Sequence, residues 1–233
     1  MNIIDLAIIL VLVVNLLIGA YYGFTVSFFK IISYIISWFF SLLFHSSLTR
    51  LLVERFPDLI SKIAYFSEGS SKTPFEQKIL PVASLSQDQI VSIVNESGLP
   101  NPFSNRIQEN LINQSLEGLE NIGQYFDYTV ASIIMNLISF ILLFIALELI
   151  LTLIISLTQN IIDLPVLVKY DGVAAAVLGL FRGFLFLYIL FAFIPLLYLV
   201  VPADILSTFI DESRFIDFFL NTNIFSFFVK GTF

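Results

Sequence analysis

The chain has 233 residues, of which 58% are hydrophobic and only 12% charged; soluble globular domains run at about 45–50% and about 25%. Its formal net charge of −7 argues against a nucleic-acid partner, which needs clustered Lys and Arg. It has no cysteine, which rules out a disulfide framework or a thiolate metal site.

The charges are segregated: 16 of the 29 fall in residues 46–127. The neutral runs on either side reach the roughly 20 apolar residues that a bilayer core demands. The first run, from Ile3 to about Ala20, lacks the basic leader and small-residue cleavage site of a secretory signal, so it is expected to remain as a span. Asp5 stands at its start, where a carboxylate costs less than at the bilayer centre, and Asn15 is its one mid-span polar side chain. A turn is expected over Tyr21 to Ser27, followed by a second span from about Phe28 to Leu48. The Tyr21–Tyr22 pair suits an aromatic belt, and Lys30 is near enough to the span's end to reach the headgroups along its stem.

Residues 46–127 are rich in Pro, Ser, Asn and charge. Ser86-Gln87-Asp88-Gln89 is a capping box opening a short amphipathic helix, and Gly98-Leu99-Pro100-Asn101-Pro102 closes it. A second helix is expected from about Ser104 through Asn121, with Ile107, Leu111, Ile112, Ser115 and Leu119 near one face. With few large apolar residues to build a core of its own, this insertion is expected to lie as a helical cap against the membrane surface.

The third span is expected from about Tyr128 to Leu157, with Glu148 its single ionisable residue. A connection from Thr158 to Tyr170 contains Pro165, which discourages continuous helix. The fourth span runs from Val173 to Val201, with Pro195 as a kink and Pro202 near its end. From Asp204 to about Leu220, Ile205, Leu206, Phe209, Ile210, Ile216 and Phe219 oppose Asp211, Glu212 and Asp217, an amphipathic pattern. The predicted fold is therefore an all-α membrane protein: four transmembrane helices, a helical extramembrane insertion between spans two and three, and a C-terminal amphipathic helix. Its parts are residues 1–45, 46–127, 128–202 and 203–233.

Two glycine patterns are expected to set the packing. Gly172, Ala176, Gly179 and Gly183 recur at steps of four, three and four, one face of a 3.6-residue helix. Gly19 and Gly23 repeat the spacing near the N-terminus. In lipid, small residues let helix backbones approach, and that approach is the main packing device.

The residues around these patterns resemble a known family. Asp5 at the start of the first span, with Gly23-Phe24 at its end, is similar to the N-terminal signature of the colicin V production (CvpA) proteins. Asp171 followed by Gly179, Arg182 and Gly183 resembles the family's second signature. The family's usual Arg before the first Gly-Phe is Tyr22 here, its Arg after the Asp is Gly172, and one family glycine is Ala175. The resemblance implies a bacterial cytoplasmic (inner) membrane protein associated with toxin production or export and with envelope maintenance.

Ionisable residues inside a membrane are functional candidates by default. Arg182 lies nine residues past Val173 and Glu148 nine before Leu157, so an antiparallel hairpin of spans three and four places both at about 13 Å from one face. They are expected either to form a buried pair that lines a polar path for an ion or small solute, or to fix helix register, as the pair or by Arg182 snorkelling alone. Asp5 and Asp171 are helix-start carboxylates suited to the positive end of a helix dipole; the alternative for Asp171 is to bind a cation or a partner. The lone His45, beside Ser46 and Ser47, is expected at the interface, since nothing marks the base, acid and oxyanion site of a nucleophile set. No catalytic, cofactor-binding or metal residue is indicated. The short basic connections place both termini and the 46–127 cap outside. The expected role is non-enzymatic, as a scaffold or partner subunit in contact with the bilayer and with other membrane proteins or further copies of the chain. The alternative is a small oligomeric transporter or channel.

Overall fold

The structure is a computed structural model, and it describes residues 2–99, 103–116, 118–158, 171–191, 194 and 213–222. Among these, helices dominate. They are α1 (Ile3–Arg55), α2 (Pro57–Ser67), α3 (Phe75–Lys78), α4 (Gln87–Glu96), α5 (Phe103–Asn113), α6 (Ile122–Thr158), α7 (Asp171–Phe191) and α8 (Ile216–Asn221). Three of them are long and apolar enough to cross a membrane: α1, α6 over Ile122–Leu157, and α7. The chain forms two compact units, one holding α1 up to Leu43, α6 from Ile141, α7 and α8, the other holding the chain from Phe44 to Phe140.

In the first unit α1 is broken at a single residue, Gly23 (φ 80°, ψ 171°). The expected turn over Tyr21 to Ser27 therefore shrinks to one position, with helix on both sides. Only glycine adopts that φ without penalty. The break reverses the chain: Asn15 before it and Tyr34 after it line one cavity, whereas an unbroken helix would hold them about 28 Å apart. Two contacts close the corner. Ser27 Oγ donates to the Gly19 carbonyl at 3.1 Å, and the Phe24 N–H donates to Asp171 Oδ1 at 2.7 Å.

The stretch before the break packs on α7 through bare backbone. A Cβ placed on Gly19 would lie 2.9 Å from Gly179 Cα, and one on Gly179 would fall on the Asn15 carbonyl oxygen and lie 3.0 Å from Gly19 Cα. A Cβ on Gly183 would meet Asn15 Cβ and Leu12 Cδ2, each at 3.2 Å. On α7 the buried line is Ala175, Gly179, Gly183 and Leu187, a ridge of four-residue steps that fits a crossing partner. Two expected members of the seam lie off it. Ala176 is only half-buried, one position around the helix from Ala175. Gly172, in the exposed first turn, has nothing within 4 Å of where its Cβ would be. Gly23 serves the corner, its would-be Cβ 2.7 Å from Asp171 Oδ2.

In the second unit α1 runs on to Arg55, past the expected end near Leu48, and α6 starts at Ile122, ahead of Tyr128. The capping box forms as expected on α4, with Ser86 and Gln89 capping each other's backbone N–H. α5 stops at Asn113, short of the expected Asn121, because Gln114 takes a left-handed φ of 47°. The chain then crosses so that Val82 N–H donates to Glu120 O at 3.0 Å and Ile122 N–H to Leu80 O at 3.1 Å. The insertion does build a core: Val82, Ile90, Ile93, Val94, Phe103, Ile107 and Leu111 close on Ile122, Tyr125, Phe126, Val130 and Ile133 of α6. The expectation of a coreless cap fails because α6 supplies the apolar surface that residues 46–121 lack. His45 is buried, with Nε2 at 3.3 Å from Ser46 Oγ.

Pro165, Pro195, Pro202, Asp204, Asp211, Glu212 and the connection before Asp171 lie outside the described residues. So does the expected amphipathic run as far as Glu212. Its described end is the short α8, whose Ile216 and Phe219 are buried.

Candidate functional site

The polar side chains of the apolar helices converge in the first unit. From Ser33 onward α1 carries Ser33, Ser37, Ser41, His45 and Thr49, a hydroxyl or imidazole at every fourth position and all buried. Residues four apart share a face, so this stripe looks inward along the helix. At its start Ser33 Oγ lies 3.2 and 3.3 Å from the two carboxyl oxygens of Glu148, and Ser37 Oγ 3.2 Å from one of them. Thr152 Oγ1, one turn along α6, reaches Glu148 at 3.4 Å. In the second unit the stripe's end repeats the pattern, Thr49 Oγ1 donating to Ser139 Oγ at 2.7 Å. The stripe's signal in the sequence is an i, i+4 row of small polar residues, set among Phe and Ile that dominate the local composition.

Arg182 faces the same space from α7. Its Nε and Nη2 donate to Asn15 Oδ1 at 3.1 and 3.0 Å, while Asn15 Nδ2 donates back to Val11 O at 2.9 Å. The seam fixes this geometry, since the Gly179–Asn15 and Gly183–Asn15 contacts hold the amide against the guanidinium's own helix. Glu148 and Arg182 share a cavity of about 260 Å³ with Asn15, Tyr34 and Phe186. Within that cavity each is held by neutral groups, and they do not form an ion pair with each other. The only described ion pair is the surface one, Arg106–Glu109.

Tyr34 completes the lining. It is 6% exposed, its ring packs edge-on against Phe144 at 4.8 Å, and its buried hydroxyl has no hydrogen-bond partner. Nearby, Lys30 Nζ sits 3.6 Å above the Tyr22 ring, a cation–π contact that shields its charge.

The helix-start carboxylates do different work. Asp171 caps the corner of α1 through Phe24. Asp5, fully buried, accepts from Ser213 Oγ at 2.7 Å and from the N–H groups of Arg214 and Phe215 at 3.1 and 3.4 Å. Ser213 Oγ in turn accepts from Ile216 N–H at 3.2 Å, so Asp5 anchors the start of α8. Phe219 then stacks among Phe184, Tyr188 and Phe191 of α7. Among the described residues no His, Asp or Glu group could hold a metal ion.

A family model described as colicin V production protein matches residues 103–223, which include α6, Arg182 and the α8 anchor. No curated protein and no solved structure matches the chain.

Proposed function

Because the chain belongs to the colicin V production protein family and is a multi-pass membrane protein, we propose that it serves toxin production or export, or envelope maintenance, in the bacterial cytoplasmic membrane as a non-enzymatic partner subunit. Reversal at Gly23 makes α1 two crossings, and with α6 and α7 the chain crosses four times. The observation that carries the role is how the strong contacts are used. The glycine seam and the carboxylates of Asp5 and Asp171 are engaged within the chain itself. Meanwhile α6 presents Leu142, Ile145, Leu149, Ile150 and Leu153, all half or more exposed, along its outward side. A prefolded unit with a long apolar flank suits lipid or another membrane helix, where small differences in packing decide association. Affinity purification from native membranes in mild detergent tests this. Recovery of a stoichiometric larger membrane complex supports the role, and recovery of the chain alone rejects it.

A second reading, passage of a small solute, is supported by the cavity at Arg182. Solute flux in proteoliposomes that falls when Arg182 is replaced would favour it over the subunit role.

A further inference from the structure

Hydrogen-bonding capacity around the cavity is unevenly used. Glu148 already has three hydroxyls at its two oxygens. The Asn15 amide has both ends engaged. What remains open is of one kind: the Arg182 Nη1 hydrogens and the Tyr34 hydroxyl, the latter buried at the cavity wall with nothing to bond to. A buried hydroxyl without a partner has given up its bonds to water and gained none in return. Arg182 bonds only the neutral Asn15 amide, and the Glu148 carboxylate in the same cavity acts on its charge through space while its oxygens are turned to hydroxyls, leaving the guanidinium donors without a charged acceptor. Both deficits are met by the same missing group, one that accepts two hydrogen bonds and carries negative charge.

We propose that this cavity is a binding site for a small soluble oxyanion, a carboxylate or phosphate group, held between Arg182 and Tyr34. Arg182 presents the planar fork that matches such oxygens. The Tyr34 hydroxyl donates to the ligand, and half-exposed Phe186 forms the apolar rim. Arg182 lies eleven positions along α7 from Asp171, about 16 Å, too deep for a lipid headgroup to reach easily, so the ligand is a solute. The site is independent of the partner-subunit role, and binding without flux would remove only the passage reading.

The test uses the full chain purified in detergent, with thermal unfolding followed against inorganic phosphate and acetate over a matched sodium chloride baseline. Saturable stabilisation is expected for the wild type. Tyr34→Phe removes only an unpartnered oxygen, so the fold should survive while the apparent Kd rises about tenfold or more, the loss of one hydrogen bond to a charged group. Arg182→Gln should abolish the effect. A folded Tyr34→Phe protein with wild-type affinity overturns the proposal, as does the absence of saturable stabilisation in the wild type. So does Tyr34-dependent retention of phosphatidylglycerol over phosphatidylcholine from mixed vesicles, which would assign the same donors to a lipid headgroup.

Discussion

The carboxylate of Asp171 accepts the backbone N–H of Phe24 at 2.7 Å, across 147 positions of sequence. One side chain at the start of α7 thereby caps the helix that resumes after Gly23. Without that acceptor the Phe24 N–H would be an orphan donor at a helix start. Asp171→Ala should therefore lower stability in detergent unfolding by about 1 kcal/mol, the usual worth of an N-cap, while Asp171→Asn should keep most of it. Gly23→Ala should cost more, since it combines a disfavoured φ with a Cβ 2.7 Å from Asp171 Oδ2. A Gly23→Ala protein as stable as wild type would contradict the described corner.

Within the glycine seam, position decides the outcome. Gly179→Ala drives a methyl into the Asn15 carbonyl, and backbone cannot step aside as a flexible side chain can, so helix separation and a loss of about 1–3 kcal/mol are expected. Gly172→Ala meets open space and should be neutral or stabilising by up to about 1 kcal/mol. Denaturation in mixed micelles of the two variants side by side checks the contrast. Equal losses would place the seam elsewhere.

Asp5 holds the entry to α8 with three bonds to Ser213, Arg214 and Phe215. Asp5→Ala should release this segment, seen as faster amide exchange over residues 213–219 with α7 still protected. Unchanged exchange at Phe215 and Ile216 would show that the Phe219 aromatic cluster alone fixes α8.

Exchanging Glu148 and Arg182 should not restore what the single substitutions lose. Glu148 is held by the hydroxyls of Ser33, Ser37 and Thr152, and Arg182 by the side-chain oxygen Oδ1 of Asn15. Swapping the charges leaves each without the partner shaped for it. A double-mutant cycle in unfolding free energy is the measurement, and full recovery in the exchanged protein would mean the two side chains pair directly.

Phe103 is fully buried in the core shared by α4, α5 and α6. Phe103→Ala should cost about 3–5 kcal/mol and open the insertion to limited proteolysis, with the apolar helices left intact in micelles. Resistance of residues 75–113 to protease in that variant would mean the core does not hold the insertion together.

The sequence alone determined the membrane class, the all-helical character, the capping box of α4 and the close approach at Gly19, Gly179 and Gly183. Each follows from local composition or from 3.6-residue periodicity, which a chain carries in its order. It also placed Asp5, Asp171, Glu148 and Arg182 among the residues worth watching, since an ionisable group in a neutral run is visible without a partner. What those residues touch was settled only by tertiary structure. That Asp171 caps Phe24, that Asp5 holds Ser213, that Arg182 turns to Asn15 and Glu148 to serine hydroxyls, and that Ala175 replaces Ala176 in the seam all depend on helix rotation and crossing. A shift of one residue on a helix turns a side chain by about 100°, and no periodicity within one segment states which way its neighbour faces.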